Sequence, residues 1–490
     1  MTDLTLTNVI ESLTGARIEA PPTIRRVIVD SRQAEAGSLF VALPGSNLDG
    51  HQFVADAFQR GAIAAIIDKP MASVQNALVV HSDRSVLPGV IAADQLPICI
   101  QVKDSLAGLQ QLATFWRKKF QVRVIGITGS VGKSTSKEMV SAVLATRFET
   151  LRNEGNLNNE IGLPLTLLKL NSSHQRIVLE MGMYDIGEIA LLCKIAQPQV
   201  GVITNVGPTH LERLGTIERI AQAKTELVQA LPPAAESGVA ILNHDDPVVM
   251  SMANETEAQV FTYGLSPEAD LWASNVTSAG LEGIRFAFHY QGETIHVRVP
   301  LLGRHSVHTA LRAALVGLVE GLDWEEIIGG LQTLPSAAQL RLVAVPGPNR
   351  SIILDDTYNA SPASTIAALN LLDDLTAAKK IAVLGDMLEL GSFAEEGHRK
   401  VGCRAADIVD QLIVIGALAN FITSEAQACG LDPSLILELK NNQAAIGYLE
   451  SILGPGDVVL IKGSNAQKLG EIVSALMAKG LQPSSKPGKT

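Results

Sequence analysis

Residues 122–144 read VRVIGITGSVGKSTSKEMVSAVL, and this stretch decides how the rest of the chain is interpreted. A β-branched apolar run leads into Gly129 and Gly132, which are followed by Lys133 and Ser134. Apolar residues then recur at the spacing of one helix face, so the pattern predicts a strand, a glycine-rich loop and a helix. Glycines allow backbone N–H groups to wrap a polyphosphate at a helix N-terminus. The stretch therefore predicts a nucleotide-binding α/β domain.

The loop matches T-G-x-x-G-K-[ST] rather than the strict G-x-x-x-x-G-K-[ST] pattern, which would need glycine where Ile127 stands. Lys133 would supply a cation for the β- and γ-phosphate oxygens, and Ser134 a hydroxyl for Mg²⁺. We therefore predict an ATP or GTP site. Its loop residues are Gly129, Ser130, Val131, Gly132, Lys133, Ser134 and Thr135. The motif alone fits a kinase, a ligase, a transporter ATPase or a nucleotide switch.

Short β-branched runs recur along the chain, each followed by an amphipathic stretch. The clearest are SLFVAL, AIAAIID, RIVLEM, VGVITNV, SIILDD, KIAVLGD, QLIVIG and DVVLIKG. This alternation predicts an α/β fold with parallel sheets. At about 150 residues per domain, the 490 residues predict three domains. We place them at 1–105, 106–335 and 336–480, followed by a flexible tail at 481–490.

Composition excludes several classes of function. The chain has 39 basic and 50 acidic residues, a formal net charge of −11 and only 4% aromatic residues, so we expect no nucleic-acid binding. The first residues, MTDLTLTNVIESL, are acidic, and no apolar run reaches the ~18–20 residues that span a bilayer. We expect a cytoplasmic protein without membrane insertion. Cys99, Cys193, Cys403 and Cys429 form no C-x-x-C pair, so we expect buried, reduced thiols rather than disulfides or a zinc site.

Polar residues follow the strands nearest the predicted loop. Glu180 ends RIVLE and His210 follows VGVITNV, so both are placed to face the nucleotide. A carboxylate and an imidazole there suit a second Mg²⁺ or Mn²⁺, although a structural histidine is the usual alternative. Asn158 and Asn159 precede an apolar helix, where a ligand-lining loop and a turn with a helix cap are both open. Lys224 lies on an amphipathic helix, and solvent exposure is its default interpretation.

The third segment repeats polar clusters at the ends of its strands. For the first cluster, capping of the helix that follows is an alternative interpretation to ligand contact. Three clusters at successive strand ends of one sheet predict a surface that faces the nucleotide domain. The residues are Asp355, Asp356, Tyr358 and Asn359, then Asp386 and Glu389, then Lys462 and Ser464.

In chain order the motifs are TGSVGKST, NLNNEIGLPLTLL, EMG, TNVGPTHLE, AKTEL, NHDD, GRHSVHTALRAA, LRL, DDTYNASPAS, LGDMLELG and IKGS. Over nearly the whole chain this series resembles the Mur ligases of peptidoglycan synthesis. The resemblance implies a small α/β UDP-binding domain, a central P-loop mononucleotide-binding domain with a parallel sheet, and a C-terminal Rossmann-like α/β domain. Near the N-terminus, VDSRQAEAGSLFVALPGSNLDGHQF resembles the UDP-sugar-binding part. DDTYNASP with LGDMLELG favours the ligase type that adds a dipeptide over the type that adds the third residue.

The resemblance implies ATP-dependent amide formation. The terminal carboxylate of UDP-MurNAc-tripeptide attacks the γ-phosphate of ATP, and the amine of D-Ala-D-Ala attacks the resulting acyl phosphate and expels phosphate. Ser134 and Glu180 would hold the catalytic Mg²⁺, and His210 a second metal ion, with Lys224 as a further ligand if it is carbamoylated. Arg341 would reach the phosphates when the domains close. The implied catalytic set is Lys133, Glu180, His210, Lys224 and Arg341.

Further contacts are implied for both substrates and for the nucleotide. Nucleotide contacts beyond the loop fall on Asn243, Asp245, His305 and, at the ribose, Asp356. Contacts to the UDP-sugar end fall on Ser31, Arg32, Asp49, Gly50 and His51. Peptide and dipeptide contacts fall on Asn158, Asn159, Tyr358, Asn359, Asp386, Glu389, Lys462 and Ser464. We expect a monomer whose partners are these small molecules.

The chain departs from the family pattern at a few positions. Ser306 and Thr309 replace two asparagines of G-R-H-N-V-x-N near the adenine, and Ser361 stands where asparagine is usual. The alternatives left open are a diamino-acid-adding Mur ligase, a folylpolyglutamate synthase and, in a different class, a non-enzymatic ATP-binding switch. The D-S-R motif in the first domain argues against the folate enzyme. A switch would leave Glu180 and His210 unexplained.

Overall fold

The structure is a computed structural model that describes residues 3–20, 22–45, 48–71, 74, 77–82, 90–333 and 342–480. In these residues the strands form three sheets of five, nine and six strands, with helices along the crossovers. Most neighbouring strands are parallel, which confirms the predicted α/β class. None of the described helices has the length and apolarity needed to cross a membrane. The predicted tail, 481–490, lies outside the described residues.

The first domain is a small parallel sheet. Its elements are α1 (Leu6–Thr14), β1 (Arg26–Ile28), β2 (Ser38–Val41), α2 (Val54–Gln59), β3 (Ala62–Ile67), β4 (Leu78–His81) and β5 (Ile98–Gln101). The strand order is β1-β2-β3-β5-β4, and every neighbouring pair is parallel. Because parallel strands end at the same sheet edge, the residues that follow β1 and β2 lie on one side of the domain.

Helix α3 (Ser105–Arg117) connects the first domain to the second. Asp104 caps it by accepting the Ala107 N–H at 2.9 Å. Near its other end, the indole N–H of buried Trp116 donates to the Leu170 carbonyl at 3.0 Å. One continuous apolar core extends from the first domain into the second. The predicted boundary at residue 105 therefore falls at the start of a helix that packs on both domains.

The central domain contains the predicted nucleotide loop. Its elements are β6 (Arg123–Thr128), α4 (Lys133–Leu144), β7 (Thr150–Arg152), α5 (Gly162–Leu167), β8 (Arg176–Glu180), α6 (Glu188–Ala196), β9 (Val200–Ile203), α7 (Leu211–Leu214), α8 (Ile217–Gln229), β10 (Val239–Asn243), α9 (Pro247–Ser251), β11 (Gln259–Gly264), β12 (Leu271–Ser278), β13 (Ile284–Tyr290), β14 (Glu293–Val299), α10 (Val307–Val319) and α11 (Trp324–Gln332). The order is β14-β13-β12-β11-β10-β9-β6-β8-β7. Strand β6 thus lies between β8 and β9, at a topological switch point of the kind where parallel sheets bind ligands.

Strands β12, β13 and β14 extend this sheet as an antiparallel meander. The predicted parallel sheet is confirmed for the strands from β7 to β12, and the antiparallel meander adds to it strand pairs that the sequence analysis did not specify. Ile284, Phe286 and Phe288 alternate along β13 and are buried, and Phe288 lies against Trp324 of α11. Alternating apolar residues are the pattern of a strand with one buried face, so the signal was present.

The C-terminal domain is a six-stranded sheet. Its elements are β15 (Val343–Pro346), β16 (Ile352–Asp356), α12 (Pro362–Asp374), β17 (Lys380–Gly385), α13 (Ala394–Ala406), β18 (Gln411–Ile415), α14 (Ala419–Ala428), β19 (Ile436–Leu439), α15 (Asn442–Ile452), β20 (Val458–Lys462) and α16 (Gly470–Gly480). The order is β15-β16-β20-β17-β18-β19, with only β15 antiparallel to its neighbour. Apolar clusters cover both faces. The polar ends of β16, β20 and β17 therefore come together at one edge.

Two of the four cysteines form a disulfide, so the expectation of four reduced thiols was wrong. Cys403 on α13 and Cys429 after α14 are bonded, with their Cα atoms 5.3 Å apart. Packing of the two helices brings them together, and their separation of 26 positions along the chain gives no sign of it. Cys99 and Cys193 are buried free thiols, as expected, and burial raises their pKa values to about 11 and about 12.

Candidate active site

The predicted phosphate loop joins the end of β6 to the start of α4. Gly129 has φ +144° and Gly132 has φ +84°, conformations that residues with a side chain rarely adopt. A Cβ on Gly129 would also overlap the side chain of Thr204, just after β9. Both glycines are therefore required by the local fold. The loop ends at a helix N-terminus, the position at which proteins commonly bind phosphate.

Asn205 holds the loop from the neighbouring strand, a contact not predicted from the sequence. Its carbonyl accepts the Ser130 N–H at 2.9 Å and its side-chain oxygen accepts the Val131 N–H at 3.0 Å. Its amide nitrogen also donates to the Val131 carbonyl at 3.0 Å. In this structure both loop N–H groups therefore bond Asn205, and their contact with a phosphate stays a prediction. The motif TNVGPTH, with an amide directly after a strand, was the available signal.

Lys133 is the first residue of α4, and Ser134 and Thr135 follow it in the first turn. The Lys133 ammonium donates to the carbonyls of Gly129 at 2.8 Å and Ser130 at 3.2 Å. Both acceptors belong to the loop itself. The positive charge is therefore held over the loop, where the β- and γ-phosphates were predicted to lie.

Glu180 lies beside the loop, because β8 pairs Glu180 in register with Ile127 of β6. The side-chain oxygen of Asn153 accepts the Glu180 N–H at 2.9 Å, and its amide donates to the Glu180 carbonyl at 3.1 Å. Asn158 donates to the carboxylate oxygen Oε1 at 2.9 Å. The other oxygen, Oε2, is buried and has no hydrogen-bond partner among the described residues. The carboxylate is thus held in place with one oxygen suited to a cation.

Asn158 and Asn159 have different roles. The side-chain oxygen of Asn159 accepts the N–H groups of Ile161 at 3.3 Å and Gly162 at 2.9 Å, which caps α5. Asn158 reaches the Glu180 carboxylate instead. The two interpretations of this loop therefore apply to different residues, since one asparagine caps the helix and the other faces the candidate metal-binding carboxylate.

Lys224 is buried on α8, so solvent exposure was the wrong interpretation of this residue. It is 2% exposed, and burial, together with the charge of Lys133, lowers the pKa of its amine well below the ordinary value. Burial and the cations Lys133 and Lys224 also lower the pKa of His210 to about 4. The imidazole of His210 is therefore uncharged at neutral pH, and the amine of Lys224 loses its proton more readily than that of an ordinary lysine. Both groups lie near Lys133.

His210 also meets the C-terminal domain. Its Nδ1 lies 2.8 Å from Oε2 of Glu389, although the two groups lack the alignment of a hydrogen bond. His210 has φ +58° and Glu389 has φ +64°, so both backbones lie in the left-handed region. Such backbone conformations are costly and concentrate at functional sites. A predicted metal ligand and a predicted dipeptide contact thus meet at the junction between two domains.

The residues present fit a divalent cation. Ser134 offers a hydroxyl, Glu180 an unpartnered buried oxygen and His210 a neutral imidazole. Within the described part of the chain, no three His, Cys, Asp or Glu side chains converge as a ready metal site. Coordination would therefore have to be completed by other oxygens, including those of the phosphates.

Asn243 and Asp245 lie at and after the end of β10, on the predicted nucleoside side. Asn243 donates to the Thr204 carbonyl at 3.0 Å. Asp245 accepts the Leu265 N–H at 2.9 Å and lies 2.7 Å from Nε2 of His308. Both side chains are fixed by protein groups near the loop. Their contact with a nucleotide stays a prediction.

Two of the residues that depart from the family pattern, Ser306 and Thr309, lie at the start of α10. Ser306 donates to the Leu302 carbonyl at 2.7 Å, and the Thr309 hydroxyl accepts from Arg312 at 2.9 Å. His305 is exposed and lines a cleft between the central and C-terminal domains. The hydroxyls of Ser306 and Thr309 therefore bond other protein groups, whereas the imidazole of His305 faces the cleft.

Asp356 and Lys462 form a buried ion pair at adjacent strand ends, with 2.6 Å between the charged atoms. The Lys462 ammonium also donates to the carbonyl of Asn359 at 2.8 Å. Ser361 caps α12, so the helix-cap alternative does not apply to the preceding cluster. Tyr358 is 43% exposed. The ion pair thus supports a loop whose aromatic side chain reaches solvent.

Asp386 and Ser464 hold backbone groups. The carboxylate of Asp386 accepts the N–H groups of Ala417 at 3.0 Å and Leu418 at 2.9 Å, just before α14. The Ser464 hydroxyl accepts the Leu388 N–H at 2.8 Å. Both side chains thus bond backbone groups at this edge of the sheet, and their contact with the dipeptide stays a prediction.

The candidates for UDP-sugar binding lie at one edge of the first sheet. His51 is 2% exposed, and its ring nitrogens lie 2.7 Å from Asp49 and 3.1 Å from Asp68. Arg32 has a side chain 81% exposed and pairs with Asp30 at 2.7 Å. The buried histidine can act only by positioning its neighbours, whereas the arginine extends into solvent and can meet a phosphate.

Three further predicted residues complete the set. Ser31 is buried in the turn after β1. Gly50 leaves no room for a Cβ, which would lie 2.7 Å from the Leu43 carbonyl oxygen. Arg341 lies outside the described residues.

A glycine loop at the switch point of a parallel sheet, with a carboxylate, an imidazole and a buried amine around it, defines a P-loop nucleotide-binding enzyme. Three family models match the chain. The model described as "Mur ligase family, catalytic domain" matches residues 23–116, the one described as "Mur ligase middle domain" matches residues 127–317, and the one described as "Mur ligase, glutamate ligase domain" matches residues 341–465. The chain belongs to the Mur ligase family and is an ATP-dependent amide ligase.

Individual relatives agree over the full length. The chain is 36% identical over 460 residues to the UDP-N-acetylmuramoyl-tripeptide–D-alanyl-D-alanine ligase of Bacillus subtilis, covering 94% of each chain. A crystal structure of MurF from Acinetobacter baumannii superposes with a TM-score of 0.82 at 28% identity, covering 98% of this chain and 100% of that one. The MurF ligase of Thermotoga maritima in complex with ADP gives a TM-score of 0.77 at 27% identity, covering 93% and 98%.

Proposed function

We propose that this chain joins D-Ala-D-Ala to UDP-MurNAc-tripeptide and converts ATP to ADP and phosphate, a step of peptidoglycan precursor synthesis. The supporting observation is full-length similarity to ligases named for that reaction, combined with a phosphate loop at the centre of the chain. The reaction must bring two anions together, because a carboxylate attacks a phosphate. A site with preorganised positive charge answers that requirement.

Lys133 carries the first part of this chemistry. Its ammonium lies over the loop carbonyls and would turn to the β- and γ-phosphate oxygens of ATP. The tripeptide carboxylate oxygen then bonds to the γ-phosphorus, the bond to the ADP oxygen breaks, and an acyl phosphate forms. The amine of D-Ala-D-Ala bonds to the carbonyl carbon, loses a proton, and phosphate leaves. Asn158 keeps the Glu180 carboxylate oriented beside these events.

Ser134 and Glu180 would hold one Mg²⁺, and His210 and Lys224 a second, with Mn²⁺ as an alternative ion. When bound, these ions would offset the negative charge of the phosphate oxygens. Carbamoylation of Lys224 needs the neutral amine, which burial favours. The carbamate oxygens would then lie among the nearby cations as metal ligands.

The three domains divide the remaining contacts. Arg32 and Ser31 would bind the UDP end, and Tyr358 and Asn359 the incoming dipeptide. Arg341 would reach the phosphates from the hinge. We propose that the chain acts as a cytoplasmic monomer, because its substrates are soluble nucleotides and each contact is provided within one chain.

Phosphate release tests the proposal. We expect release from ATP and Mg²⁺ only when UDP-MurNAc-tripeptide and D-Ala-D-Ala are both present, and loss of release in Lys133→Ala. Release with UDP-MurNAc-dipeptide and a diamino acid instead would identify the sister ligase. ATP binding without release under any of these conditions would support the non-enzymatic switch.

A further inference from the structure

Arg312 is a buried cation that none of the preceding roles uses. It lies on α10, one turn after Thr309, and is 4% exposed. Its Nε donates to the Ser136 hydroxyl at 2.5 Å, Nη1 to the Tyr263 hydroxyl at 3.2 Å and Nη2 to the Thr309 hydroxyl at 2.9 Å. All three acceptors are themselves buried. The guanidinium is therefore withdrawn from water, and its hydrogen-bond partners among the described residues are neutral hydroxyls.

Buried charges in proteins are normally paired with an opposite charge. In the part of the chain that the structure describes, no carboxylate lies within ion-pair distance of Arg312. Arg117 offers a comparison, since it is 5% exposed and also unpaired. Arg117, however, donates to three backbone carbonyls, those of Ala196, Phe120 and Val122. The acceptors of Arg117 are thus all backbone carbonyls, whereas those of Arg312 are all side-chain hydroxyls.

The position of Arg312 indicates where its counter-charge belongs. Its Nη2 lies 2.9 Å from the point that a Cβ on Gly132 would occupy. Ser136, which it also contacts, donates to the carbonyl of Gly132. The guanidinium therefore supports the last residue of the phosphate loop. The N-terminus of α4 is a centre of partial positive charge as well, so two positive features adjoin at the end of the loop.

We propose that Arg312 is a positioning residue for the nucleotide, a buried cation behind the loop that acts in addition to Lys133 and whose counter-charge is the polyphosphate. It fixes Gly132 and Ser136, and the charge of the bound phosphates offsets its own. Thr309 is one of the residues that depart from the family pattern, and its hydroxyl orients the Arg312 guanidinium. The inference rests on nucleotide binding at this loop as part of the proposed function, and on no later step of the reaction.

The test compares Arg312→Met with Arg117→Met, a matched removal of a buried guanidinium far from the loop. Thermal unfolding of the full chain is measured with and without ADP, and the affinities for ADP and adenosine are measured by displacement of a fluorescent ADP analogue. For Arg312→Met we expect no fall in Tm without ligand, an ADP affinity lower by about tenfold or more, and a change under about threefold for adenosine. For Arg117→Met we expect a lower Tm and an unchanged ADP affinity.

Arg312→Lys retains the charge and should recover most of the ADP affinity, although not the three-way contact. A lower Tm for Arg312→Met with unchanged ADP affinity would overturn the inference and leave a purely structural arginine. Equal losses for ADP and adenosine would also overturn it, because the phosphates would then not be the counter-charge. If the wild-type chain bound no ADP, the proposed function itself would fail, a result distinct from failure at Arg312.

Discussion

Single side chains in the candidate site act mainly by holding one another. Asn153 bonds both backbone groups of Glu180, and Asn158 bonds one oxygen of its carboxylate. Neither asparagine needs to touch a substrate to affect the reaction. Groups that orient a metal ligand typically change metal affinity or activity by about 10–100-fold when they are removed.

We predict that Asn158→Ala lowers kcat by about 10-fold or more and raises the Mg²⁺ concentration needed for half-maximal rate. The reason is that Glu180 loses the donor that orients its carboxylate. Asn159→Ala is the matched control, because it removes a helix cap worth about 1 kcal/mol of stability and leaves Glu180 untouched. Steady-state kinetics at a series of Mg²⁺ concentrations measures both quantities for the two variants. Equal Mg²⁺ dependence in the two variants would contradict this role for Asn158.

His398 supports the loop that carries Asp386 and Glu389. Its Nε2 accepts the Met387 N–H at 2.9 Å, so its proton lies on Nδ1, which faces the Ala394 carbonyl at 2.6 Å. Burial lowers the pKa of His398. In the unfolded chain the pKa returns to about 6.5, so the unfolded state takes up this proton at a higher pH than the folded state. The stability due to neutral His398 is therefore present above about pH 6.5 and is lost as the pH falls below it.

We predict that the Tm of the wild-type chain falls more steeply between pH 7 and pH 5 than that of His398→Gln. Glutamine can keep a hydrogen bond with the loop and does not titrate. Calorimetry at a series of pH values measures the two slopes. Parallel slopes would mean that His398 does not contribute to the acid sensitivity.

Site residues that belong to a recognisable sequence motif could be predicted from the sequence. Residues that contribute through contacts between distant parts of the chain could not. Lys133 and Glu180 stand at the ends of recognisable strands, and the structure places both at the switch point. Asn205 follows a strand in TNVGPTH, but no spacing in the sequence marks its contact with Val131, 74 positions earlier, or the contact of Arg312 with Ser136, 176 positions earlier. Asp386 lies at the predicted strand end, and in this structure its carboxylate accepts backbone N–H groups, because a strand-end carboxylate can bond a neighbouring backbone as readily as it can face a ligand.

At the scale of elements, the β-branched runs predicted most of the parallel strands. They did not specify the pairs between β12, β13 and β14, where an antiparallel meander extends the central sheet. They also gave no information on how helices pair. Helices α13 and α14 pack side by side, and their contact brings Cys403 and Cys429 within bonding distance.

We predict that reduction of the Cys403–Cys429 disulfide lowers the free energy of unfolding of the C-terminal domain by about 3 kcal/mol, because the bond closes a 26-residue loop. Urea unfolding with and without reductant measures the change. Ligase activity should persist under reducing conditions, since neither cysteine is among the site residues. Alkylation of four thiols in the unreduced, unfolded protein would contradict the disulfide.

At the scale of the whole molecule, the candidate contacts are spread over three domains. Central and C-terminal domains touch through His210 and Glu389, and through Arg304 and Asp374 at 2.5 Å. An acyl phosphate must be kept from water until the amine arrives. Domain closure around the substrates would meet that need.

We predict that the radius of gyration from small-angle scattering falls when a non-hydrolysable ATP analogue and UDP-MurNAc-tripeptide are added together. Lys133→Ala provides the control, because it weakens the nucleotide contact that should drive closure. An unchanged radius in the wild-type chain, with binding confirmed in the same sample, would show that the domains do not move.

The central claim is that the chain forms one amide bond per ATP between a UDP-linked tripeptide and D-Ala-D-Ala. Mass spectrometry of the products, with ADP counted in the same reaction, tests it most directly. We predict a UDP-MurNAc-pentapeptide whose mass equals that of the two substrates less one water, formed in a 1:1 ratio with ADP. The claim would be contradicted if no pentapeptide formed while the chain joined a diamino acid to UDP-MurNAc-dipeptide, or while it bound ATP without forming any product.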